Sequence, residues 1–267
     1  NAAEISQSER LKTFTEDCSY LLIEDFHTVG LEGRIDEYYS TEDGGQQNRF
    51  MWFFRAQNAT SEDHDRLGSW GEGKFTLESA SRLGAQIGWS IRKEYDDVEQ
   101  VLMGQTTLRM HTIFSPANNY GSVASDGTTR PDRFYPYGAF GTSTLAETGA
   151  DYSPAPITDE EEIQLFKETF RMLRKDEPGL SILIPYPQES LLNAGALARA
   201  VIARWAFKIY QGSLVVNIRH NGVLIHELKA STIRNDILSM NWTDLMIECF
   251  RSSTLTQPST LTRRFIL

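Results

Sequence analysis

Tyr20-Leu21-Leu22-Ile23-Glu24-Asp25-Phe26-His27-Thr28-Val29-Gly30-Leu31-Glu32-Gly33 is the stretch whose reading decides the fold. Its opening run, Tyr20 to Ile23, is compact and apolar and reads as a buried strand. Glu24 and Asp25 close that run. Gly30 and Gly33 then mark a turn where the chain needs positive φ or a close backbone approach. A carboxylate at a strand end beside such a turn can accept a hydrogen bond from an exocyclic amine while backbone packs against a flat base.

Working outward, residues 34–47 are polar and contain glycine, a loop. Phe50-Met51-Trp52-Phe53-Phe54 is strongly aromatic and reads as an amphipathic segment packed on the core. Residues 58–66 are polar again. Gly68-Ser69-Trp70-Gly71-Glu72-Gly73-Lys74 follows and leads into a helix expected over Phe75 to Leu83. Glycine amides at a helix N-terminus make an anion site, because unpaired N–H groups and the helix dipole both favour phosphate. Lys74 adds a positive charge there. Taken singly, the first cluster fits an ordinary turn and the second a plain loop-to-helix junction. Their order decides the reading: a strand-end acid, a polar segment, glycine amides at a helix start, then the strands Gln86–Arg92 and Val98–Ile113 about an Asp96-Asp97 turn.

In that order the segments resemble the GHKL (Bergerat) ATPases, the class of gyrase, MutL, heat-shock chaperones and histidine kinases. The likeness covers residues 19–113. It implies an α+β fold, a Bergerat-type α/β sandwich, that binds ATP with Mg²⁺ and hydrolyses the γ-phosphate with activated water. Asp25 matches the acid that binds the adenine amino group, and Gly30 belongs to the first-box turn. Gly68, Trp70, Gly71, Gly73 and Lys74 match the second box, whose backbone N–H groups cradle phosphates. Gly104-Gln105-Thr106 is similar to a Gly-Thr step whose hydroxyl, here on Thr106, helps hold the adenine site. Two departures stand out. His27 and Val29 occupy the positions two and four after the acid, where the family has glycines. The Glu- and Asn-bearing helix expected upstream of Asp25 has no counterpart beyond Asn1-Ala2-Ala3, so no catalytic residue is assigned. A scaffold or binding module that keeps the fold without turnover is therefore the alternative class. Gly68 to Lys74 also fits most of a P-loop, but Phe75 stands where the Mg²⁺-binding hydroxyl belongs, and Asn58–Arg66 is too polar for the feeding strand.

The remaining composition bounds these readings. The 267 residues are 40% hydrophobic and 23% charged, ordinary for a soluble protein with a substantial core. A formal charge of -10 gives nucleic acid no bulk attraction. No apolar run approaches the ~20 residues of a membrane span. Cys18 and Cys249 fit a reducing cytoplasm. The histidines, His27, His64, His111, His220 and His226, lack ligand-like spacing, so no zinc site is read. No signal peptide is visible, and the missing initial Met suggests a fragment of a longer chain.

Residues 115–157 are rich in Gly, Pro, Ser and Tyr, and the domain boundary is placed there: 1–150 a GHKL-like ATP-binding domain and 151–267 a second, smaller α/β domain, which the resemblance to gyrase-class proteins implies is transducer-like. In the second part Thr158 and Glu161 form a capping box opening a helix to about Arg174. Leu180–Ile184 is a strand stopped by Pro185. Leu191 to Tyr210 is a helix ended by Gly212. Val215–Arg219 and Val223–Leu228 pair across Asn221-Gly222, and a last helix runs from Thr232 or Asn235 to Arg251. The partners implied are an adenine nucleotide and a second copy or larger complex.

Overall fold

A computed structural model describes residues 18–37, 48–55, 72–95, 98–107, 111–113, 122–123, 129–130, 132–134, 137–145 and 152–239. The protein is mixed α+β, built on an antiparallel sheet. Strand β1 (Tyr20–Glu24), β2 (Ala85–Ile91) and β3 (Gln100–Thr107) come from the first half of the chain. Short ribbon strands follow as β4 (His111–Ile113), β5 (Ser122–Val123), β6 (Thr129–Arg130), β7 (Asp132–Phe134), β8 (Tyr137–Phe140), β9 (Thr142–Leu145) and β10 (Tyr152–Ala155). Strand β11 (Gly179–Pro185) returns to the centre. The main sheet has five strands in the order β1-β11-β2-β3-β8, and every ladder in it is antiparallel.

That order bears on the expected boundary. β11 comes from residues beyond 150, yet it lies between β1 and β2. The division near residue 150 therefore does not divide the sheet. Leu180–Ile184 is a continuous apolar run apart from Ser181, as a strand buried on both faces requires, and Leu183 and Ile184 are each 1% exposed.

Side chains alternate across a strand, so the registers assign two faces. Gln86, Gly88 and Ser90 share one face with Gln105, Met103 and Val101, and with Ile184, Ile182 and Leu180. Helix α1 (Arg49–Phe54) covers part of it, burying Phe50 and Phe54 against Val101, Met103 and Leu31. Asn48 caps α1 through Oδ1, which accepts from the Met51 N–H at 2.8 Å. Helix α2 (Glu72–Ala80) lies along the same face, where Glu78 accepts a hydrogen bond from Thr107. It starts at Glu72, three residues before the expected Phe75.

On the opposite face Trp89, Leu102 and Leu183 pack against Ile163 and Phe166 of α3 (Glu160–Thr169). The cap of α3 is Asp159, whose side chain accepts from the Glu162 N–H at 2.9 Å; the expected cap, Thr158, lies one residue too early. The helix also stops short of Arg174. Arg171 adopts φ 52, with Met172 N–H donating to Lys167 O and Arg171 N–H to Glu168 O. This is a Schellman ending with arginine where glycine is usual.

A second cluster forms in residues 194–239. Helix α4 (Ala194–Tyr210), capped by Asn193, packs on the hairpin of β12 (Val216–His220) and β13 (Val223–Leu228) and on α5 (Ile233–Ser239). A 3₁₀ turn at Glu189–Leu192 takes the first residues expected of α4. Asn221 and Gly222, at φ 49 and 80, carry the left-handed turn that the sequence announces. The part of the last helix expected beyond Ser239 lies outside the described residues.

Candidate functional site

Asp25 directly follows β1. Its N–H donates to Leu180 O at 3.0 Å, which carries the β1–β11 ladder one residue further. Its carboxylate is held at one oxygen. Oδ1 accepts from the Leu180 N–H at 2.6 Å, the Thr28 hydroxyl at 3.0 Å and Arg174 Nη2 at 3.1 Å. Among the described residues no donor reaches Oδ2. The Asp25 side chain is 32% exposed, so that second oxygen sits on an accessible group.

The turn after Asp25 is stitched onto the end of β2. Lys93 N–H donates to Val29 O at 3.0 Å, Leu31 N–H to Ser90 Oγ at 2.8 Å, and Arg92 Nη1 to Gly33 O at 2.6 Å. Gly30 has φ 74, and a Cβ there would fall 2.2 Å from Ile91 O. Only glycine meets both conditions. His27 has φ 60, a left-handed conformation uncommon outside glycine. It is the residue two after the acid, where the resembled family has glycine.

Behind the carboxylate lies a buried polar knot. Arg174 is 1% exposed. Nε donates to Ser181 Oγ at 3.1 Å, Nη1 to Glu177 O at 3.1 Å and Pro178 O at 3.0 Å, and Nη2 to Leu180 O at 3.1 Å and to both backbone and side chain of Asp25. Its guanidinium carbon lies 5.1 Å from the centre of the Phe26 ring. Burial pushes the pKa of Arg174 down, and the charges of Asp25, Glu24 and Glu177 act the other way. Glu24, also buried, accepts from the N–H groups of Leu173 and Arg174 and from the Ser181 hydroxyl.

The other expected site residues divide. Gly68, Trp70 and Gly71 lie outside the described residues. Gly73 and Lys74 fall in the first turn of α2. Thr106 stands apart from Asp25. Asp25, Leu180, Ser90 and Val101 are level across the sheet, and Thr106 is five residues further along β3, about 17 Å at strand rise. Alternation also turns it to the α3 face, where its hydroxyl reaches Leu83 O at 3.4 Å. Thr106 cannot touch a base held at Asp25.

Arg174, Thr28 and Ser181 escaped the sequence reading. Arg174 is 149 residues from Asp25, and no local pattern announces the pair. No protein family, curated protein or solved structure matches the chain. Among the described residues no group of His, Cys, Asp or Glu is placed to hold a metal ion, and no helix is long and apolar enough to cross a membrane.

Proposed function

We propose that this chain is an adenine-nucleotide-binding module resembling the GHKL ATPases. The observation that carries the reading is the Asp25 carboxylate, with Oδ1 fixed by three donors and Oδ2 left as an acceptor on a partly exposed side chain. An ionised carboxylate accepts only, so such an oxygen suits the 6-amino group of adenine and repels a carbonyl. The left-handed His27 lends support, since the turn keeps the backbone that a glycine would give it. Gly73 and Lys74 at the start of α2 supply amides and charge for phosphate. Mg²⁺ would enter with the phosphates, which are its usual companions.

The sheet itself disfavours the P-loop reading of Gly68 to Lys74. A P-loop joins a strand to its crossover helix in a parallel sheet, whereas each ladder beside β2 is antiparallel. ATP hydrolysis, and a Bergerat-type arrangement within a larger cytoplasmic machine, go with the family likeness and are tested separately by phosphate release.

Asp25→Asn is the decisive variant. The amide keeps a carbonyl for Leu180 and Thr28 but replaces the second acceptor with a donor. ADP affinity, read by calorimetry, should fall by about 1–3 kcal/mol in a folded protein. Unchanged affinity in a folded Asp25→Asn chain sinks the adenine assignment.

A further inference from the structure

We propose that Arg174 is a positioning residue for this site: it locks Oδ1 of Asp25 so that Oδ2 alone meets the base, and so sets the preference for a 6-amino over a 6-oxo purine. The inference rests on the nucleotide reading above. A carboxylate free to rotate offers either oxygen along several directions. With Oδ1 bound to Arg174, Leu180 and Thr28, its torsion is fixed and Oδ2 has one direction.

Arg174 is built as a clamp. Its side chain is 0% exposed beside a carboxylate that is 32% exposed, so the pair presents only the acid to solvent. The guanidinium fork bonds Asp25 while its other donors are spent on Ser181 and on the backbone of residues 177–180. A lysine, with one nitrogen on a flexible stem, cannot make that set at once. Gly179 lets the two side chains meet: a Cβ there would fall 2.3 Å from Arg174 Nη1 and 2.6 Å from Asp25 Oδ1. The loop ending α3 thus reaches across to orient the acid at the end of β1.

The test uses the full chain and two probes, ADP and IDP, titrated by calorimetry into the wild type, Arg174→Lys and Ser181→Ala, with folding checked by circular dichroism. Ser181→Ala leaves every residue touching Asp25 in place and removes the acceptor for Arg174 Nε together with the hydroxyl that donates to Glu24. The wild type is expected to prefer ADP. Arg174→Lys should lower the ADP-to-IDP affinity ratio by roughly tenfold, the worth of one well-made hydrogen bond, and Ser181→Ala should lower it by less. A purely structural role would weaken both nucleotides together and leave the ratio unchanged. An unchanged ratio in folded Arg174→Lys overturns the positioning role alone; if that variant does not fold, an unchanged ratio in Ser181→Ala does so. A wild type that binds neither nucleotide overturns the nucleotide reading, and the positioning role falls with it.

Discussion

Gln86 lies directly opposite Gln105 across the β2–β3 ladder, and the fully buried amide of Gln86 has no hydrogen-bond partner at either atom among the described residues. Oε1 of Gln105 is buried and unpartnered as well. Both point to the face that carries α1 and α2, with Ile184 1% exposed on the neighbouring strand. Buried polar groups are nearly always satisfied, so this pair marks a place where the packing costs free energy.

That cost predicts a stabilising substitution. Gln86→Met nearly conserves volume and removes both orphan atoms, and an unsatisfied buried amide costs about 1–3 kcal/mol. The urea midpoint of Gln86→Met should therefore rise by an amount worth about 1–2 kcal/mol, at the lower part of that range because packing is imperfect. A fall of similar size would mean that ordered water satisfies the amide in solution.

His27 offers a second reading of stability. At φ 60 its backbone is left-handed, which costs a residue with a Cβ roughly 1 kcal/mol. His27→Gly should leave stability unchanged or raise it by up to about 1 kcal/mol, despite the added freedom of the unfolded chain. His27→Val should lower it, since a β-branched side chain tolerates positive φ least. Paired urea unfolding curves decide this. A large loss on His27→Gly would show that the imidazole itself, and not the turn, is what the position requires.

These two positions show what the sequence discloses and what it hides. β1 and the hairpin at Asn221-Gly222 were legible because apolar runs and turn residues act locally. The place of β11 was hidden, because Leu180–Ile184 reads as a strand but nothing in it says that it pairs between β1 and β2. The end of α3 was missed for a different reason: Arg171 takes the left-handed position without the glycine that usually signals it. The places of Asp25 at a strand end and of Gly30 in the turn after it are legible in the sequence. Thr106 misled, because a two-residue period fixes its face only when the register is known. Arg174 was invisible, being brought to Asp25 by the loop between α3 and β11.

Gly73 separates stability from binding most sharply. It is the second residue of α2, with Lys74 beside it in the same turn. In a helix, glycine is about 0.8–1.0 kcal/mol less favourable than alanine, less so near the frayed first turn. Gly73→Ala should therefore leave the chain as stable as the wild type or slightly more so. If the first turn of α2 carries the phosphate amides, the same methyl group crowds the backbone where the phosphate must approach. ADP affinity should then fall while the unfolding midpoint does not. Lys74→Ala should weaken ADP less, because a lysine on a flexible stem acts as a point charge softened by solvent. Calorimetric affinities and urea midpoints for the two variants give four numbers that must agree. Full ADP binding by Gly73→Ala, beside complete loss in Lys74→Ala, would remove the amide cradle and reopen the P-loop reading, in which the lysine is central.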